Sequence, residues 1–128
     1  MITSLTIKNI GIIDELTINL NNGFNVLTGE TGAGKTLIIG SLQILAGGRF
    51  SKEMIRYGQK NSYVEMSLYL PNINEEENII ISREINIAGK NICKINGRLV
   101  TVLELKEFMN KIIDIHRTKW KSIFVANI

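Results

Sequence analysis

The sequence predicts an α/β domain in which antiparallel strands flank one central unit of strand, glycine-rich loop and helix. Three observations carry this reading. Several runs alternate apolar and polar residues with the period of a half-buried strand. One glycine-rich segment, from Gly29 to Gly34, follows an extended run and opens an apolar stretch of helical length. The chain has 128 residues, 45% hydrophobic, without a tract of low complexity, and a chain of this size hides roughly two-thirds of the surface it exposes when unfolded, enough for a single core.

Leu5 and Ile7 share one face of the first extended run. Leu16, Ile18 and Leu20 share a face of the second, with Glu15, Thr17 and Asn19 opposite. The connection from Asn9 to Asp14 is short and contains Gly11, which favours an antiparallel hairpin over a helical crossover. Asn21-Asn22-Gly23 reads as a turn and Phe24 to Thr28 as a third strand. From Lys35 to Ala46 the apolar residues Leu37, Ile38, Ile39, Leu42, Ile44 and Leu45 cover more than one stripe, which suits an enclosed helix ended by Gly47-Gly48. A loop with Arg49, Lys52 and Arg56 leads to a strand in which Val64, Met66, Leu68 and Leu70 alternate with polar or aromatic neighbours until Pro71. Glu75, Glu76 and Glu77 read as a solvated loop. Ile79 to Ile87 and Lys90 to Ile95 form a hairpin around Ala88-Gly89. Thr101 and Glu104 have capping-box spacing, so a helix is expected from there through Met109. Ile112, Ile113 and Ile115 suggest a short final strand.

The chemistry concentrates at Gly29-Glu30-Thr31-Gly32-Ala33-Gly34-Lys35-Thr36, which fits G-x-x-x-x-G-K-[ST] without a mismatch. Glycines let the backbone curl so that successive N–H groups point at phosphate oxygens, and the helix that starts there adds its positive end. Lys35 would reach the β- and γ-phosphates, and the Thr36 hydroxyl would be a ligand of Mg²⁺. The four fixed positions arise by accident in roughly one chain of this length per hundred, and the strand-before, helix-after context lowers that further. Binding of a nucleoside triphosphate is therefore expected.

Hydrolysis needs more: a second carboxylate to organise the cation and a residue to position water. Asp114 is the late acidic candidate, but it reads better as a strand-end carboxylate in a polar turn. His116, the single histidine, has no partner at ligand or triad spacing, and Gln59 and Arg83 read as surface residues. Cys93 is alone and reads as a small apolar side chain in a strand, so neither a disulfide nor a cysteine metal cluster is expected. The net charge of +3 is compatible with nucleic acid without arguing for it. No uninterrupted apolar run approaches the ~20 residues that span a bilayer, and the first residues lack a secretory pattern. A cytoplasmic chain without a membrane role is expected.

Taken together, Leu5-Thr6-Ile7-Lys8-Asn9-Ile10-Gly11-Ile12-Ile13-Asp14, the phosphate loop, Gly47-Gly48-Arg49, Ile95-Asn96-Gly97-Arg98 and Asp114-Ile115-His116 resemble the amino-terminal end of the RecN family of bacterial DNA repair proteins, relatives of the SMC ATPases. The resemblance implies a P-loop NTPase fold of the ABC/SMC head type, with Gly29 to Thr36 on ATP and Thr36 on Mg²⁺. It places Lys8 and Asn9 near base and ribose. It also implies DNA as a partner in the full-length protein, a carboxy-terminal lobe or second head to close the site, and a nucleoid-associated cytoplasmic location.

Where family members continue with Gly-Gln after Asp114-Ile115-His116, this chain reads Arg117-Thr118-Lys119-Trp120 and ends at Ile128. The expectation is an ATP-binding lobe over residues 1–116 and a divergent tail over 117–128 that is not native to the fold. A prematurely ended reading frame would produce that tail. With the Walker B aspartate, signature motif and Q-loop glutamine missing, such a fragment would not hydrolyse ATP alone. The rival readings are a small P-loop phosphotransferase, for which Arg49 and Arg56 would begin a basic lid, and a non-catalytic remnant that binds no nucleotide.

Overall fold

A computed structural model describes residues 2–19, 32–69 and 78–115. In chain order these form β1 (Ile2–Ile10), β2 (Ile13–Asn19), α1 (Gly32–Leu45), a short 3-10 turn (Lys52–Met54), β3 (Asn61–Tyr69), β4 (Asn78–Asn86), β5 (Asn91–Ile95), β6 (Arg98–Val100) and α2 (Val102–Ile115). The strands make a six-stranded sheet in the order β2-β1-β3-β4-β5-β6, antiparallel at every pairing. The expected strand from Phe24 to Thr28, the glutamate run and the tail from His116 onward lie outside the described residues.

Register explains the core. Leu5 pairs with Met66 and Ile7 with Val64, while Met66 pairs with Ile81 and Leu68 with Ile79. Paired residues share a sheet face, so the alternating runs stack into one apolar surface. Ile38, Leu42, Ile44 and Leu45 from α1 and Leu105, Met109 and Ile112 from α2 complete the same cluster. The β1–β2 hairpin is as expected, closed by two residues with Gly11 at φ +57 and Ile12 at its exposed tip. β2 lies at the edge of the sheet, so Leu16, although in phase with Ile7, stays 36% exposed.

Three expectations change. The isoleucines after Met109 belong to α2, which runs unbroken to Ile115; Leu105, Met109 and Ile112 fall one below another at helical spacing and are buried, and that packing overrides the strand preference of β-branched residues. Asp114 is therefore an exposed residue of a helix and not the end of a strand. A strand also exists where none was expected: β6 follows a tight turn with Asn96 at φ +51 and Gly97 at φ +79, and pairs Val100 with Cys93. Asn96 holds this turn to β4, its side-chain oxygen accepting from Ile80 N–H at 2.8 Å.

The capping box is as expected. Glu104 N–H donates to Thr101 Oγ1 and Thr101 N–H to Glu104 Oε1, each at 3.0 Å. The Thr101 backbone N–H, and then its hydroxyl, hold the Glu104 carboxyl below its ordinary value of 4.5. A carboxylate with a lowered folded-state pKa contributes stability above the unfolded value that is lost as pH falls through the folded one. Thr101→Ala is expected to cost about 1 kcal/mol. Glu104→Gln is expected to flatten the decline in stability below pH 4.5, read from urea midpoints across that range.

Candidate functional site

The phosphate motif sits on α1, whose first residue is Gly32, earlier than the Lys35 start expected from the apolar run. Gly32, Ala33, Gly34, Lys35 and Thr36 form its opening turns, and the expectations for Gly29, Glu30 and Thr31 lie outside the described residues. The first four N–H groups of a helix have no acceptor within it and carry the positive end of the dipole. Thr36 is exposed on the first turns. This donor set fits a triphosphate with a hard divalent cation.

Both halves of α1 are anchored below this end. Ile38 and Leu42 are buried, and the buried Ser41 hydroxyl returns to Leu37 O at 2.9 Å. The helix stops in a Schellman cap: Gly48 N–H donates to Gln43 O at 2.9 Å and Gly47 N–H to Ile44 O at 3.1 Å, with Gly47 at φ +95.

Arg83, read as a surface residue, is instead 3% exposed. It lies on the core face of β4 opposite Val64 and Cys93, and its Nη1 donates to Ile44 O at 2.8 Å and to Gly48 O. Nε donates to Asn91 Oδ1 at 3.1 Å, and the guanidinium stacks 5.6 Å from the Phe50 ring centroid. Burial lowers its pKa from the ordinary arginine value, and the negative end of α1 is what its charge meets. The signal was in the register: Arg83 is in phase with Ile79, Ile81 and Ile85. Cys93 is buried beside it, as expected of a small apolar side chain, and burial pushes its thiol up.

A groove of about 780 Å³ runs along α1, lined by Thr36, Leu37 and Gly40 on the helix, by Ile10 and Met54 across from it, and by Arg49 beyond the cap. The hairpin is locked to the 3-10 turn beside it: Gly11 N–H donates to Met54 O at 3.0 Å and Arg56 N–H to Asn9 O at 2.8 Å. Asn9 takes a left-handed φ of +56, and its carbonyl also accepts from the buried Ser62 hydroxyl. Lys8 is 3.8 Å from Glu15 and 6.0 Å from the Tyr63 ring centroid. Arg56 approaches Asp14 at 4.0 Å, so it is tied to the hairpin rather than poised as a lid. Gln59 is exposed, as expected. Among the described residues no three His, Cys, Asp or Glu side chains gather as a metal site, and no helix is long and apolar enough to cross a membrane.

With this geometry in place, the comparisons with known proteins are specific. A family model described as an AAA domain matches residues 4–125. The DNA repair protein RecN of Bacillus subtilis is 40% identical over 91% of this chain, and that of Halalkalibacterium halodurans is 40% identical over 91%. The chain spans 22% and 23% of those relatives' lengths. The SMC head domain from Thermotoga maritima superposes with a TM-score of 0.63 at 23% identity, covering 83% of this chain and 41% of that one.

Proposed function

We propose that this chain, which belongs to the AAA domain family and within it to the RecN-type, SMC-like head lobes, binds ATP with Mg²⁺ as one lobe of a DNA repair ATPase. The observation that carries this is the placement of Gly32 to Thr36 as the opening turns of α1, behind a sheet of the SMC-head kind. In this reading the backbone N–H groups from Gly29 to Lys35 cradle the phosphates, the Lys35 ammonium meets the β- and γ-phosphates, and the Thr36 hydroxyl faces the cation. Mg²⁺, when bound, neutralises the charge that builds between those phosphates. Glu30, Thr31 and Ala33 are assigned to the loop by the motif alone.

Binding and turnover separate here. A water-positioning residue and a second cation-organising carboxylate are not identified in this sequence, so the chain alone is proposed to hold ATP weakly and to turn it over negligibly. A second lobe, from the same protein or a second head, supplies those groups, and DNA is the partner of the assembled protein in the cytoplasm.

Titration of the chain with ATP and Mg²⁺ tests this directly. Lys35→Ala is expected to weaken binding at least about tenfold, consistent with loss of a charge-assisted contact. Titrations of the two proteins that coincide without saturable binding would favour a remnant that holds no nucleotide. Lys35-dependent hydrolysis at ordinary enzyme rates would overturn the division of labour.

A further inference from the structure

Three turns meet at one end of the sheet: the hairpin tip at Gly11-Ile12, the turn from Arg56 to Gln59, and the turn from Asn86 to Lys90. Gly11 N–H and Arg56 N–H tie the first to the second, and Ile87 N–H donates to Lys60 O at 3.0 Å, tying the second to the third. The middle turn is closed by Gln59 N–H on Arg56 O at 3.0 Å, with Gly58 at φ +84. That conformation is a type II turn, and it puts the residue before the glycine at its outermost point. The residue is Tyr57, and it is 100% exposed.

The Tyr57 ring, fully exposed on a hydrogen-bonded turn, contributes nothing to the core and leaves both its faces open to a ligand. Its neighbours define which one. Lys60 follows it and Lys90 stands on the adjoining turn, both exposed; Lys52 is exposed on the 3-10 turn. From 49 to 60 the charged residues are Arg49, Lys52, Arg56 and Lys60 against Glu53 alone. The acidic groups at this end are partly engaged: Asp14 with Arg56 at 4.0 Å, Glu15 with Lys8 at 3.8 Å, and Glu84 accepting from Asn61 Nδ2 at 3.4 Å. The Lys90 turn is itself rigid, with Asn86 Oδ1 accepting from Ala88 N–H and Lys90 N–H, each at 3.0 Å.

We propose that this end of the sheet is a seat for single-stranded DNA, with an unpaired base stacked on Tyr57 and the flanking phosphates on Lys60 and Lys90. A π-face accepts any base, and flanking cations track the backbone on either side of it, which is the recurring arrangement for strand binding without sequence preference. A duplex keeps its bases stacked inside and would use the cations without the ring. The choice of DNA as the polyanion rests on the proposed DNA repair role; the geometry of ring and cations does not.

The test is fluorescence anisotropy of a labelled mixed-sequence oligonucleotide, single-stranded and as its duplex, with the full chain and variants whose circular dichroism matches the parent. Tyr57→Ala is expected to weaken single-strand binding about tenfold, the loss typical of one stacked base, with duplex binding little changed. Tyr57→Phe is expected to restore it. Lys60→Ala and Lys90→Ala are each expected to reduce the slope of log affinity against log salt by about 0.7. Unchanged single-strand affinity in Tyr57→Ala, or equal losses for strand and duplex, would overturn the proposal. Lys35→Ala, assayed alongside, separates the two readings: it is expected to lose ATP and keep the oligonucleotide.

Discussion

Arg83→Met is expected to lower the stability of the fold by about 3 kcal/mol. Methionine fills similar volume but donates nothing. Ile44 O, which would keep only Gly47 N–H, and Gly48 O, just past the end of α1, would lose their shared donor, and Asn91 Oδ1 would lose the third bond. A part-buried acceptor that loses its donor, as Gly48 O and Asn91 Oδ1 would, costs about 1–3 kcal/mol, and the Phe50 contact is lost as well. Removing the guanidinium also relieves its own burial, which is why the expected loss is less than the sum of the bonds. With a urea slope of about 1–3 kcal/mol per molar for a domain of this size, the midpoint should fall by about 1 M or more. Arg83→Lys should fall between, because an ammonium cannot serve Ile44, Gly48 and Asn91 in one planar fork. A midpoint unchanged in Arg83→Met would mean that an apolar chain serves this site equally well.

Gly48→Ala is the second large effect, expected near 2 kcal/mol from steric loss of the cap. A β-carbon there would stand 2.6 Å from Gln43 O, a backbone atom that is also the acceptor of Gly48 N–H. The carbonyl cannot move aside without opening the Schellman cap. Gly47 is constrained differently: it has φ +95, and an added β-carbon would meet Lys106 Cβ of α2 at 2.8 Å. Gly40 supplies the control, since a β-carbon there meets nothing within 4 Å, and Gly40→Ala in mid-helix should stabilise by about 0.5–1 kcal/mol. Arg83 and Gly48 share the Gly48 carbonyl, so the double variant should lose less than the two single losses added. Urea unfolding of the four proteins closes that cycle.

Much of the fold was legible because its strands have one buried face. Val64, Met66 and Leu68 could be placed on the core side by alternation alone, and Thr101 with Glu104 announced the start of α2. The same alternation, carried through Ile79, Ile81 and Ile85, put Arg83 inside, although no motif around it singled it out. The isoleucines at 112 and 113 misled for a different reason. Their local preference is for strands, and only the placement of Leu105 and Met109 beneath them made a helix the way to bury them. β6 was missed because three residues carry too little period to read.

The motif from Gly29 to Thr36 is read from the sequence alone, because a phosphate-binding loop uses those residue types in that order. The alternating strands and the capping box were likewise local matters, set by side chains two to four positions apart. Tertiary structure decided the rest. That Arg83 on β4 closes the end of α1, and that turns far apart in sequence gather Tyr57, Lys60 and Lys90 at one end of the sheet, depend on strand order and register. No local pattern encodes these, because hydrogen-bond partners and neighbouring charges are chosen by what the folded sheet brings within reach, not by what lies next in the chain.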